Sequence, residues 1–335
     1  MTQFHLITPT LDSRWRAVVL FGRNFASYKF ALARSLLELA RADAEVIPLE
    51  ELAIPFSASI CEHLKSAPKQ ILSQSSPFLE SCRAFNSGEI TKDKLVGVTV
   101  QRGFANVIDA FHNVNGAEVG TRFFIDEREA GAGIRITEDL RKLIATMQGG
   151  SLPAEVEARW SLVETAWSMG VASHLIEFDK GDLFVSNNRR RAVTSCRSAL
   201  NGYQKGCCFY CFAEFSIAPA HKNLPDVDHF LPWMLSRETQ MSGLDGIWNL
   251  VLACRECNRG VGGKMARVPS LALLDRLHAR NNYLIDSHHP LRETLILQTG
   301  AAESDRRSFL QEKFSNAFTI LEHLWEPKPL AASTF

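Results

Sequence analysis

Apolar residues recur at helical spacing through most of the chain. After FGRNFASYK, the residues Phe30, Ala33, Leu36, Leu37 and Ala40 fall on one face of a predicted helix. In TEDLRKLIATMQGG, Leu140, Leu143, Ile144 and Met147 form a second stripe. A third helical region runs from about Pro153 to Leu175, with Trp160, Leu162, Val163, Trp167 and Val171 apolar; its two tryptophans share a face, as core residues do. NNRRRAVTSCRSALNGYQKG reads as a helix capped near Asn187 or Asn188, its stripe formed by Ala192, Cys196, Ala199 and Leu200. Beyond Pro269 the pattern returns twice, in SLALLDRLHARNNYLI and in ESDRRSFLQEKFSNAFTILEHLW, where Phe309, Leu310, Phe314, Phe318, Leu321 and Leu324 repeat at helical intervals.

Between these helices the period changes. Val227 to Leu231 and Trp248 to Ala253 read as strands by length and by their Gly and Pro boundaries. Past Cys257 the chain must turn, with Gly260, Gly262 and Gly263 permitting positive φ, before a helix resumes near Pro269. Two Cys-x-x-Cys pairs bracket the strands, Cys208 with Cys211 and Cys254 with Cys257. A two-residue gap lets both thiolates of one turn reach one ion, and two such turns complete the tetrahedral sulfur shell that zinc prefers. Cys207 is an alternative to its neighbour as ligand; Cys208 is chosen because it keeps the gap to Cys211. A shell filled in this way staples a fold and leaves no open position for chemistry.

Inside that frame the residues resemble the HNH endonucleases, whose ββα-metal fold carries a His, an Asn and a third His or Asn. The Asp-His-x-x-Pro element matches Asp228, His229 and Pro232, and Asn-Leu-x-x-x-Cys-x-x-Cys-Asn matches Asn249, Leu250, Cys254, Cys257 and Asn258. The resemblance covers about residues 200 to 265. Two departures stand out, Asn258 at the third position, a frequent variant, and Val261 where a Lys is common. The resemblance implies His229 as general base, Asn249 as the residue that hydrogen-bonds across the loop to hold the histidine strand, and Asp228 with Asn258 as ligands of Mg²⁺ or Mn²⁺. Elementary chemistry agrees: phosphodiester hydrolysis needs an activated water and positive charge on the phosphate oxygens, histidine titrates near neutrality, and hard oxygen donors suit Mg²⁺.

Composition adds less. The 335 residues carry 37 basic and 37 acidic side chains, so a polyanion partner would have to meet local charge. Arg189, Arg190, Arg191, Arg197 and Lys205 precede the first cysteine pair without an acidic neighbour, and from Cys254 to Arg280 the six basic residues Arg255, Arg259, Lys264, Arg267, Arg276 and Arg280 face two acidic ones, Glu256 and Asp275. Of these, Arg189, Arg190, Arg191, Arg197, Lys205, Arg255, Arg259 and Lys264 are the candidate nucleic-acid contacts. Phe209, Tyr210, Phe212 and Phe215 read as packing beside a cysteine turn. His288 and His289, with no cysteine nearby, read as surface residues. Of eight cysteines, the four outside the pairs, Cys61, Cys82, Cys196 and Cys207, are scattered as free thiols of a reducing compartment would be; with the absence of a long apolar run and an N-terminus without a basic-then-apolar design, they point to a cytoplasmic protein with no membrane partner.

The expected architecture is mainly α with a small ββα-metal module, α+β overall: a helical recognition, docking or regulatory domain over 1–185, the HNH module with structural zinc over 186–268, and C-terminal helices packing on the body over 269–335. In the first segment, Arg23, Asn24, Ser27 and Lys29 at a helix start offer a place for an anion, though a capped helix with solvated polar residues explains them more simply. The expected activity is metal-dependent cleavage or nicking of DNA. Cleavage of RNA, or zinc-stabilised nucleic-acid binding without chemistry, are the alternatives. A large helical domain joined to an HNH module is similar to bacterial anti-phage defence nucleases, including accessory nucleases of multi-protein systems such as Zorya. That similarity implies other proteins of a defence system as partners.

Overall fold

Threonine hydroxyls start three helices where the first orphan amides need an acceptor. Thr10 accepts from the Ser13 amide at the head of α1 (Leu11–Leu20). It is followed by α2 (Tyr28–Leu39), α3 (Leu49–Ser66) and α4 (Pro77–Asn86). Thr91 caps α5 (Lys92–Val98), which precedes the single turn α6 (Val107–Ala110). Thr137 caps α7 (Glu138–Ala145), and α8 (Leu152–Met169) follows. The computed structural model describes the chain except residues 1–9, 22–25, 42–43, 72–75, 115, 132, 170–175, 180–181, 186–190, 219–220, 288 and 328–335. Arg23, Asn24, Arg189, Arg190 and His288 therefore lie outside the described residues, as does the side chain of Arg191.

The chain divides into two compact units, Pro9–Gly170 and one built on Val171–Phe335. In the first, α1 to α8 enclose a core in which Trp15, Phe30, Phe56, Phe78, Phe111, Phe123 and Trp160 are fully buried. Short strands line it: β1 (Val46–Ile47), the hairpin β2 (Asn113–Val114) with β3 (Ala117–Glu118), β4 (Phe124–Glu127) and β5 (Gly133–Ile136). β1, β5 and β4 form an antiparallel sheet in that order. Charged groups sit inside this core as well. Arg16 donates from its Nε to Glu155 Oε2 at 2.7 Å and from a terminal nitrogen to Oε1 at 2.8 Å. His63 stacks on Trp160 with ring centroids 3.5 Å apart and reaches Glu164 at 2.7 Å and Glu157 at 3.2 Å.

The second unit opens with an antiparallel sheet of β6 (Ile176–Asp179), β7 (Asp182–Val185) and β8 (Arg191–Ser195), leading into α9 (Cys196–Gln204). Residues 176–185, read above as the end of the first segment, thus contribute strands to the second unit. The helix expected from Asn187 starts at Cys196 instead, because the stretch Arg191–Ser195 pairs with β7. Its β-branched Thr194 favours that pairing. β9 (Asp226–His229) and β10 (Leu250–Ala253) are antiparallel, with His229 opposite Leu250 and Asp228 opposite Val251. The one-turn helix α10 (Arg255–Arg259) follows directly.

After β11 (Val268–Pro269) come α11 (Leu271–Asp286), α12 (Arg292–Thr299) and α13 (Glu303–Leu321), and β12 (Leu324–Trp325) closes the chain's return by pairing parallel to β11. Leu310, Phe314 and Ala317 form the buried face of α13, while Phe318 and Leu324, counted in its stripe from sequence, are exposed. Met147 likewise lies past the end of α7 and is exposed. His289 is buried, its Nδ1 accepting from the Leu291 amide, so it closes a turn rather than standing on the surface. The fold is mainly α with small sheets. No helix among the described residues is long and apolar enough to cross a membrane.

Candidate active site and metal centre

Four thiols converge beside the β9–β10 pair. The sulfurs of Cys208, Cys211, Cys254 and Cys257 all lie within 4.8 Å of one another, and those of Cys211 and Cys254 are 3.7 Å apart. A tetrahedral zinc shell with bonds of about 2.3 Å separates its sulfurs by about 3.8 Å, so this group is close enough to hold a metal ion and compatible with zinc. Backbone amides support the sulfurs: Cys254 donates to Cys208 Sγ at 3.3 Å, and Ala213 to Cys211 Sγ at 3.4 Å. Cys207 stands outside the group, in a bridge to Glu214.

Side chains distant in sequence brace the two cysteine turns. Gln204 at the end of α9 donates to the Leu252 carbonyl and accepts from the Leu252 amide, each at 2.8 Å, tying α9 to β10. Arg276 of α11 donates to the carbonyls of Phe209 and Tyr210 at 2.6 and 2.8 Å and lies over the Phe212 ring, 4.3 Å from its centroid. Burial lowers its pKa from the usual arginine value. Phe212 itself has φ of 63°, a left-handed conformation that costs a non-glycine residue, and the guanidinium helps to hold it.

His229 ends β9, and Asn249 immediately precedes β10 on the paired side. The His229 Nε2 lies 2.8 Å from Asp245 Oδ1, and the other oxygen of that carboxylate accepts from the Trp233 indole at 3.2 Å. Asn249 is wholly buried. Its Oδ1 accepts from the Leu231 amide at 2.8 Å, while its Nδ2 donates to the carbonyls of Leu231 and Leu244 at 3.0 and 2.9 Å. The carboxamide therefore clamps the segment just after His229 to the loop that carries Asp245.

Asp228 is placed differently from His229. Strand alternation turns Asp226 and Asp228 to one face of β9 and His229 to the other. The Tyr210 hydroxyl donates to Asp228 Oδ2 at 2.6 Å, and the Lys264 ammonium lies 3.3 Å from Oδ1. Burial raises the Asp228 pKa, partly offset by the Lys264 charge and the Tyr210 hydrogen bond. Burial also lowers the pKa of Lys264, which donates further to the His229 carbonyl at 2.9 Å. The Asn258 carboxamide donates to Asp226 Oδ2 at 3.1 Å, and Arg259 pairs with the same Asp226.

Oxygen donors of the kind a hard divalent cation needs are present. Yet both Asp228 oxygens are already held, and Asn258 reaches Asp226 rather than Asp228. Asp228 and Asn258 thus do not form a preformed cation cradle in this arrangement.

The basic residues largely serve the backbone. Lys264, predicted as a phosphate contact, is 1% exposed with its ammonium turned inward, which corrects that reading. The chain can bury it because glycines let the turn after α10 lie on the helix: a Cβ on Gly260 would sit 2.7 Å from Glu256 Cα, and one on Gly263 would sit 2.6 Å from the Glu256 carbonyl. Of the three glycines only Gly262 uses positive φ. Arg280 donates to the carbonyls of Ile247 and Trp248 at 3.3 and 3.1 Å, and Lys313 of α13 to those of Gln240 and Ser242 at 2.8 and 3.3 Å. Arg197 donates to the Pro225 carbonyl at 2.8 Å, and Lys205 ends α9 in a left-handed conformation. Arg255 and Arg259 remain exposed beside the second cysteine turn.

Sequence reasoning missed Asp245, Trp233, Tyr210 as partner of Asp228, and Asp226. Asp245 and Trp233 lie in the irregular connection between the strands, where no periodicity marks one polar residue over another. Comparison of the chain with protein-family models, with curated proteins and with solved structures finds no match.

Proposed function

We propose that the second unit is a zinc-stapled HNH-type nuclease module that hydrolyses phosphodiester bonds in DNA, with His229 as general base. The observation that carries this reading is the joint placement of His229 and Asn249. Asp245 fixes the imidazole, and the Asn249 carboxamide locks the segment behind it, in the order the resemblance implies. Oriented by Asp245 at Nε2, the imidazole would serve as the base that takes a proton from an attacking water. Zinc on Cys208, Cys211, Cys254 and Cys257 would act on the fold alone, by joining the turn before β9 to the turn after β10. Arg255 and Arg259 are the exposed cations that would meet a phosphate strand.

The Mg²⁺ or Mn²⁺ ion implied at Asp228 and Asn258 would supply charge for the phosphate oxygens when bound. In the arrangement described, Lys264 stands beside Asp228, so a cation there requires the ammonium to withdraw. The same observation favours a second reading, a zinc-stabilised nucleic-acid binder without chemistry, in which Asp228, Lys264 and Tyr210 are a structural trio. A setting in phage defence with partner proteins, and a cytoplasmic location, rest on the resemblance and the composition. Supercoiled plasmid incubated with the purified chain separates the two readings: nicking that requires Mg²⁺ or Mn²⁺ supports the nuclease, and intact plasmid bound by the chain under every cation supports the binder.

A further inference from the structure

Trp233 is 51% exposed, and Met234 beside it is 55% exposed. Scattered exposed apolar residues are ordinary on protein surfaces and by themselves mean nothing. Trp233 differs because its ring is fixed from the same atom group that fixes His229. One carboxylate, Asp245, accepts the indole N–H on Oδ2 and meets the imidazole on Oδ1. Pro232 precedes it and the 3-10 turn Trp233–Arg237 carries it, while the Asn249 clamp holds the preceding Leu231 on both its amide and its carbonyl. The indole is thus positioned at a set offset from the imidazole with a large part of its surface open to solvent.

We propose that Trp233 is a stacking platform for a nucleobase adjoining the scissile phosphate, and that the preferred substrate of this site is nucleic acid with an unpaired base at that position. The proposal rests on the nuclease reading above. Every base offers a π face, so an indole grips a strand irrespective of sequence. A base inside a duplex is already stacked on both sides, and freeing it has a cost that a single strand, a bubble or a flap does not incur. A fixed aromatic plane next to the general base would set the strand in register with His229, which a flexible lysine contact would not do.

The test is binding, read without turnover. Fluorescently labelled oligonucleotides of about twelve nucleotides, as single-stranded DNA, single-stranded RNA and duplex DNA, are titrated with the full chain in the absence of added divalent cation. Trp233→Ala, checked for wild-type zinc content and melting temperature, should bind single strands roughly tenfold more weakly and duplex as before, whereas Trp233→Phe should stay within about threefold of wild type. The DNA and RNA arms identify the sugar the site accepts. Unchanged single-strand affinity in Trp233→Ala, or an equal loss on duplex, overturns the platform. Should the alanine variant fail to fold, Trp233→Leu against Trp233→Phe decides, because both are apolar and only one can stack; equal affinities then overturn it. A failure of the nuclease reading shows separately, as absent cleavage, and leaves these binding ratios readable.

Discussion

The Nε2 of His229 lies 2.8 Å from Asp245 Oδ1, sixteen residues further along the chain. The contact selects the tautomer and holds the ring plane.

Replacing Asp245 by Asn keeps the shape and removes the charge that favours the Nε2–H form. Cleavage by Asp245→Asn should fall about 10- to 100-fold in kcat with KM little changed. Steady-state kinetics on a labelled substrate would show it, and an unaltered kcat would remove Asp245 from the site.

The four-cysteine group predicts about one zinc ion per purified chain by elemental analysis. Cys257→Ser should abolish that content and lower the melting temperature of the second unit by about 10 °C or more, since metal binding is folding free energy. A chain that is zinc-free yet equally stable would make these thiols ordinary core residues.

Asp228 and Lys264 form a buried pair, and removing one partner strands the other. Asp228→Asn and Lys264→Met should each destabilise by roughly 3 kcal/mol in urea unfolding, with the double variant costing less than the sum. If Mg²⁺ competes with the ammonium for Asp228, millimolar Mg²⁺ should raise the melting temperature of Lys264→Met and leave that of Asp228→Asn unmoved. Equal responses would place the cation elsewhere.

His63 in the first unit supplies a pH signature. Burial opposes its charge, but hydrogen bonds and charges from Glu157 and Glu164 outweigh that and push its pKa up from 6.5 to about 9. The protonated form is favoured in the folded state, so its stabilisation is complete below pH 6.5 and is lost as pH rises through about 9. Glu157 is half-exposed; partial desolvation opposes its charge, yet His63 and Arg34 lower its pKa below 4.5, so its contribution is present above that value and fades in acid. The trio should therefore stabilise most between about pH 4.5 and 6.5, by at most roughly 3 kcal/mol for the histidine. Melting curves of wild type and His63→Gln should differ most in that window and converge near pH 10; a constant difference would refute the protonated pair.

What could be read from sequence was what spacing encodes. Cys208, Cys211, Cys254 and Cys257 announced themselves by two equal gaps, and the structure gathers their sulfurs. The helices α2, α7, α8 and α13 followed from apolar periodicity, with errors at stripe ends such as Met147 and Phe318. The strands β1 to β5 are two to four residues long, too short for a period to show. Charge misled most. Lys264, Arg276 and Arg280 look like a basic patch in one dimension, but their partners are backbone carbonyls and Asp228, which only the folded chain brings near. Asp245 and Trp233 carried no signal at all, because loop residues acquire their roles from geometry.

The most direct test of the central claim compares nicking of supercoiled plasmid by wild type and His229→Ala, both shown to carry zinc and to melt alike, with Mg²⁺ and with Mn²⁺. The account predicts cation-dependent nicking by wild type and a loss of at least about 100-fold in the variant. Equal rates in the folded variant would contradict it.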